Sequence, residues 1–178
     1  MQFRIKQHPD AGDFSMDWFD NIYGNLNYEN KTVLDIGADW GRTADHFLQK
    51  GAKRVIAVEG GKEWYKLLER NAELIDGITP IFLWLKNPSD ISNLIKVYNP
   101  DIVKIATRGW SDCENWLLEI PSDIITSVPQ YILPTSQAHD QKRNIVNLIK
   151  MFESLNYDVN IQMHHVPVIT AVSRITEK

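Results

Sequence analysis

"VLDIGADWGRTADHF", Val33 to Phe47, is an apolar run that enters a glycine-marked turn and then opens a helix. The run "VLDI" has the unbroken apolar character of an interior parallel strand. Gly37 and Gly41 mark the turn, and Ala44, Phe47 and Leu48 recur on one helix face that Gly51 closes. Loop backbone and a helix N-terminus converge in such a unit, so it is where α/β proteins hold nucleotide-like ligands. Asp39, a carboxylate in mid-turn, restricts which ligand that is.

The rest of the chain continues the alternation. "SMDWFDNIYG" places Met16, Phe19 and Tyr23 near helical spacing, with Ser15 and Gly24 as caps, and predicts a short leading helix. "RVIAVE" is a second strand. Trp64, Leu67, Leu68, Asn71, Ala72 and Ile75 then follow i, i+3, i+4 spacing through a helix closed near Gly77. "TPIFLWL" reads as a third strand, Ile91, Leu94, Ile95 and Tyr98 as a third crossover helix, and "DIVKIA" as a fourth strand. Ser111 and Glu114 form a capping-box pattern ahead of an apolar face containing Cys113, Trp116, Leu117 and Ile120.

"DIITSV" reads as a fifth strand, followed by a long amphipathic helix through Ile145, Leu148, Ile149, Phe152 and Leu155. Only a few residues around His164 and His165 separate the last two strands, "YDVNIQM" and "VPVITAVSRI". A parallel pair needs a crossover of about a dozen residues or more, so this pair is antiparallel. The expected fold is α/β: seven strands in a mostly parallel sheet with a C-terminal antiparallel hairpin and helices on both faces. Residues 1–30 form a helical lead-in and 31–178 the core of one domain.

Composition bounds the function. The chain has 178 residues, 43% hydrophobic and 24% charged, which suits a single sizeable core. Its 19 Lys+Arg against 23 Asp+Glu give a formal charge of −4, so no global positive field attracts nucleic acid. Cys113 is the only cysteine, which excludes an internal disulfide or a multi-cysteine zinc site and fits a reducing, cytoplasmic setting. No segment approaches the ~20 apolar residues of a membrane span.

The turn excludes two familiar ligand types. A dinucleotide fingerprint, G-x-G-x-x-G, lets backbone approach a pyrophosphate, and here Asp39 stands where its middle glycine would be. Like charges ~4 Å apart at an effective dielectric of ~20 repel by about 4 kcal/mol, so a pyrophosphate is a poor guest. No G-K-[ST] follows, so there is no P-loop. Glu59 ends the "VIAVE" strand 22 positions after Gly37, the spacing at which an acid reaches ribose hydroxyls in such folds. A carboxylate suits vicinal hydroxyls because it accepts from both.

The order β-α repeated five times and then β-β, with Asp35-Ile36-Gly37-Ala38-x-x-Gly41, resembles class I S-adenosylmethionine-dependent methyltransferases from about Lys31 onward. That cofactor carries an ammonium and a sulfonium and no phosphate, which acidic groups favour. The resemblance implies that Asp35 orients the methionine end, that Gly37, Ala38, Asp39 and Gly41 pack the turn against the ligand, and that Glu59 and Gly60 adjoin the ribose. Position suggests adenine contacts from Leu85 to Asn87, with Trp84 read equally as core. Among subfamilies the FkbM type is most similar, with "D-x-G-A-N-x-G" and "IVAVEP"; here Asp39 replaces its Asn and Gly60 its Pro.

That type continues "K-I-D-x-E-G", a pair of acids facing the transferable methyl. This chain has Lys104-Ile105-Ala106-Thr107-Arg108-Gly109, so Ala106 and Arg108 occupy the acidic positions. Arg108 clamps anions and cannot act as a base at neutral pH. His139 is a candidate base, read against an ordinary helix-start histidine. His164 and His165 are adjacent in a hairpin turn, where side chains diverge, which argues against a metal pair. Lys142 and Arg143 offer a basic rim or a solvated helix start. Trp18, Phe19 and Tyr23 either lid a ligand or pack the leading helix.

The expected activity is methyl transfer onto oxygen or nitrogen of a small-molecule acceptor. Its rival is a cofactor-binding or interaction module of the same fold. A homo-oligomer or partner subunit is compatible with either.

Overall fold

The computed structural model describes residues 4–6, 16–24, 26–107, 113–134, 141–163 and 167–175. The chain forms two compact units, Met1–Trp84 and Leu85–Lys178. In the first, α1 (Met16–Tyr23) precedes β1 (Thr32–Ile36), α2 (Arg42–Gln49), β2 (Arg54–Glu59), α3 (Lys62–Ala72) and β3 (Ile78–Phe82). β1 and β3 both pair in parallel with β2, in a register that sets Ile36 beside Val58 and Glu59 beside Phe82. Val33, Leu34, Ile36 and Val55 through Val58 are all buried, which explains why these strands read as unbroken apolar runs rather than alternating ones.

β3 is the edge of this unit's ladder and ends at Phe82, short of the predicted "TPIFLWL". Pro80 is tolerated because an edge strand has one side without a ladder partner. Trp84, just beyond this edge strand, is 61% exposed, which corrects its reading as core.

The second unit holds α4 (Pro88–Tyr98), β4 (Ile102–Ile105), a 3-10 turn at Asn115–Glu119, α5 (Ser122–Thr126), β5 (Gln130–Pro134), α6 (Gln141–Ser154), β6 (Tyr157–Met163) and β7 (Pro167–Ser173). β4 and β5 are parallel, whereas β7 runs antiparallel to both β5 and β6, as the short connection demanded. Within the units the strand orders are β3-β2-β1 and β4-β5-β7-β6, all parallel in the first and mixed in the second, as expected of the α/β class with a C-terminal antiparallel hairpin.

One expectation fails in this unit. "DIITSV" is not a strand: Ser122–Thr126 is helical, and the fifth strand is Gln130–Pro134. Tyr131 and Tyr157 explain the outcome, because both hydroxyls donate to Ile125 O, at 3.0 and 2.8 Å, and Tyr157 also lies 2.6 Å from Val128 O. These tyrosines satisfy carbonyls that a helix end leaves open. Among the described residues the segment after β4 holds a 3-10 turn, with Cys113 and Glu114 buried ahead of it; the Ser111 end of the expected capping box lies outside the described residues.

Candidate ligand-binding site

The first unit shapes the turn after β1. Gly37 N–H and Ala38 N–H both donate to Val58 O, at 2.9 and 3.1 Å, so the loop leaves β1 still tied to β2. Three of its residues are left-handed: Gly37 at φ 77°, Asp39 at 52° and Gly41 at 99°. Asp is among the residues that adopt this conformation at modest cost. At Gly41 a Cβ would meet Leu68 Cδ1 at 3.1 Å besides incurring the left-handed penalty, so glycine is required there.

Each acid has a separate assignment. Glu59 Oε2 accepts Asp39 N–H at 2.9 Å and Oε1 accepts Gly61 N–H at 2.6 Å, so this carboxylate fixes the turn after β1 and the one after β2 together. Asp35 is fully buried and accepts the Thr43 hydroxyl from the first turn of α2. Asp39 pairs with Arg42 Nη2 at 3.3 Å. The mid-turn carboxylate thus has a cation beside it, which softens the electrostatic argument against a phosphate while leaving Asp35 and Glu59 as local negative charges.

Arg42 is itself held by aromatic rings. Its guanidinium lies 4.0 Å from the Trp40 ring centroid and 5.7 Å from that of Phe19, while Trp40 stacks on Trp64 at 5.1 Å. Arg42 and Trp40 are both buried, where a cation–π contact is worth about 2 kcal/mol. Asn71, from α3, donates through Nδ2 to Trp40 O at 2.8 Å. Sequence reasoning did not single out Arg42 or Asn71 for the site. The visible signal for Asn71 was a polar residue in an apolar helix stripe.

Gly60 has no room for a side chain. A Cβ there would lie 2.9 Å from Trp84 Cε3, 3.0 Å from Trp84 Cα and 3.2 Å from Leu83 O. The Gly60 backbone therefore packs directly against the segment that leaves β3, and the exposed Trp84 indole sits beside the Glu59 end of β2.

Other candidates scatter. Asn87 accepts Ser89 N–H at 3.0 Å as the cap of α4, and Lys86 N–H donates to Asp90, so these residues start a helix. Ala106 and Thr107 follow β4 half-buried, and neither supplies a carboxylate. Cys113 is fully buried. Phe19 and Tyr23 pack on His46, and Tyr23 also on Phe47, which supports the packing reading of the leading helix. Arg108, His139, His164 and His165 lie outside the described residues, as do the side chains of Lys142 and Arg143. Among the described residues no group of three His, Cys, Asp or Glu is placed to hold a metal. Among them, too, no helix is long and apolar enough to cross a membrane.

No protein-family model and no curated protein sequence matches this chain. Solved structures do. Precorrin-6y C5,15-methyltransferase from Geobacter metallireducens superposes with a TM-score of 0.65 at 14% identity, covering 96% of this chain and 94% of that one. Aeropyrum pernix fibrillarin, in complex with natively bound S-adenosyl-L-methionine, gives 0.58 at 14% identity over 83% and 69%. The Methanococcus jannaschii fibrillarin pre-rRNA processing protein gives 0.56 at 15% identity over 83% and 69%. Identities this low speak to architecture alone: the chain has the Rossmann-like fold of class I methyltransferases.

Proposed function

We propose that this chain is an S-adenosylmethionine-dependent methyltransferase acting on oxygen or nitrogen of a small-molecule acceptor, with an FkbM-like first motif. The observation that carries the reading is the Glu59 carboxylate, anchored at the end of β2 by the Asp39 and Gly61 amides and so fixed beside the turn. A carboxylate has about four acceptor sites, so bonding two amides is compatible with receiving ribose hydroxyls as well. The cofactor seen in one fibrillarin of this fold supports the choice of ligand.

The donor set suits that ligand better than a dinucleotide. Among the described residues, Asp35, Asp39 and Glu59 beside the cation Arg42 leave an acidic environment that matches an ammonium and a sulfonium. Gly41 and Gly60 keep backbone bare where a side chain would collide with Leu68 or Trp84. In this reading Glu59 binds the ribose, Asp35 and the turn orient the methionine end, and the exposed Trp84 face receives the purine by stacking. When bound, the cofactor supplies an already activated methyl group. The protein's contribution is then orientation and exclusion of water, for which a strong general base is not required.

Calorimetric titration with S-adenosylmethionine, S-adenosylhomocysteine and NAD tests this. The expected result is binding of the first two and not of NAD; binding of NAD alone, or of none, overturns it. One observation favours a second reading, a cofactor-binding module without catalysis: Ala106 stands where the FkbM type has an acid. Tight binding with no methyl transfer to a broad panel of hydroxyl and amine acceptors would select that reading. Salt-dependent RNA binding with transfer to RNA would reassign the acceptor.

A further inference from the structure

Residues 4–6 lie as a strap across α2 and α3. Arg4 N–H and Nε–H donate to the two oxygens of the buried Asp45 carboxylate, at 2.8 and 2.7 Å, and Ile5 is buried. Lys6 N–H donates to Asn71 Oδ1 at 2.9 Å, and Asn71 Nδ2 donates back to Lys6 O at 3.0 Å. The same Nδ2 gives its other hydrogen to Trp40 O at 2.8 Å. Asn71 is fully buried, so this one amide group joins the strap to the turn in a water-free setting.

The bond to Trp40 O holds a critical peptide. Gly41 N–H donates to Ala38 O at 2.8 Å, so the Trp40–Gly41 peptide unit is pinned at both ends, by Ala38 on one side and Asn71 on the other. Without Asn71, that peptide loses the bond at its Trp40 O end and turns more easily toward other conformations, because Gly41 has access to both signs of φ. Leucine or alanine in the same helix stripe would pack yet pin nothing.

We propose that Asn71 is a positioning residue that makes ligand affinity at the 37–41 turn depend on docking of the strap at residues 4–6. The proposal rests on the reading of that turn as the cofactor site. Coupling between two sites is reciprocal, so a ligand at the turn also holds the strap down. The strap is thereby part of the binding site, although it lies more than 30 residues before the turn in sequence.

The test uses the full chain with Asn71→Ala and, separately, the strap variant Arg4→Ala/Ile5→Gly, which touches neither Asn71 nor the turn. S-adenosylhomocysteine is the calorimetric probe, and amide hydrogen exchange is followed without ligand. Each variant should weaken the probe by about fivefold or more, and the combined variant should weaken it no further than Asn71→Ala alone. Exchange of Gly41 N–H should rise in the strap variant while amides of the β6–β7 ladder stay unchanged. A strap variant that loses protection at Lys6 N–H yet leaves Gly41 exchange and probe affinity at wild-type values overturns the proposal. Should Asn71→Ala fail to fold, the strap variant alone decides. A wild-type chain that binds no probe defeats the cofactor reading, and the exchange arm then still settles whether strap and turn are coupled.

Discussion

Glu59 Oε2 accepts the Asp39 amide hydrogen at 2.9 Å, tying the end of β2 to the middle of the turn that leaves β1. Removing that carboxylate strands two amides, Asp39 N–H and Gly61 N–H, and hydrogen bonds to a charged group are worth about 1.5–3 kcal/mol each. Glu59→Ala is expected to lower unfolding stability by about 3 kcal/mol or more and abolish S-adenosylhomocysteine binding. Glu59→Gln keeps one acceptor oxygen but turns its NH2 toward the other amide, so it should recover about half of that loss while weakening the ligand about tenfold. Urea unfolding and calorimetry separate these; unchanged ligand affinity in Glu59→Gln would remove the carboxylate from the ribose role.

Gly60 gives a prediction in which the obvious rescue fails. Gly60→Ala brings its Cβ within 3.0 Å of Trp84 Cα and 2.9 Å of Cε3. Overpacking of this kind costs about 1–3 kcal/mol. Trp84→Ala alone should change stability by less than about 1 kcal/mol, since the side chain is 61% exposed. Combining the two removes the ring but leaves the backbone collision, so the double variant should stay destabilised relative to Trp84→Ala. Full recovery in chemical denaturation would mean that only the ring had been in the way.

Tyr157 provides a test in the second unit. Its hydroxyl serves Ile125 O at 2.8 Å and Val128 O at 2.6 Å, and burial pushes its pKa up to about 12. Tyr157→Phe leaves the ring packing against Tyr131 and Phe152 but strands Val128 O, at a cost of about 1–2 kcal/mol. Tyr131→Phe should cost less, because Ile125 O keeps the Val128 N–H bond at 3.2 Å and its share of the Tyr157 hydroxyl. The order of the two midpoints in thermal unfolding checks the claim.

What the residues made legible was local. The β1–turn–α2 unit announces itself because a buried strand, left-handed glycines and an apolar helix face all lie within one short stretch. "DIITSV" was misleading for the opposite reason: its β-branched residues favour a strand, while the hydroxyls that cap it as a helix come from Tyr131 and Tyr157, the latter 32 residues from its Ile125 partner. Trp84 continues an apolar run, yet it stands exposed just beyond the edge strand β3. Asn71 was visible as a polar break in its stripe, yet its partners lie 31 and 65 residues away. Glu59 was placed by spacing, but its grip on two backbone amides depends on turn geometry that spacing does not encode.

His46 supplies a pH dependence with a definite sign. It is fully buried on α2 among Phe19, Tyr23 and Phe47, and neither ring nitrogen has a hydrogen-bond partner among the described residues. Burial lowers its pKa to about 4, against an opposing pull from Asp20 on α1, whose Oδ1 lies 3.8 Å from Nδ1; Lys50 adds to the lowering and Asp45 opposes it. The folded protein therefore holds this ring neutral while the unfolded chain protonates it near 6.5. Stability from this group is complete above pH 6.5 and declines as pH falls toward 4, by up to about 3 kcal/mol over that window. Because α1 and α2 meet at this ring, α1 should lose amide protection first as the pH drops. His46→Phe removes the proton-binding site but keeps a ring between Phe19 and Phe47, so its unfolding free energy should be flatter than wild type between pH 6.5 and 4. Equal slopes in the two proteins would assign the acid sensitivity to other groups, Asp20 and its Lys50 partner first among them.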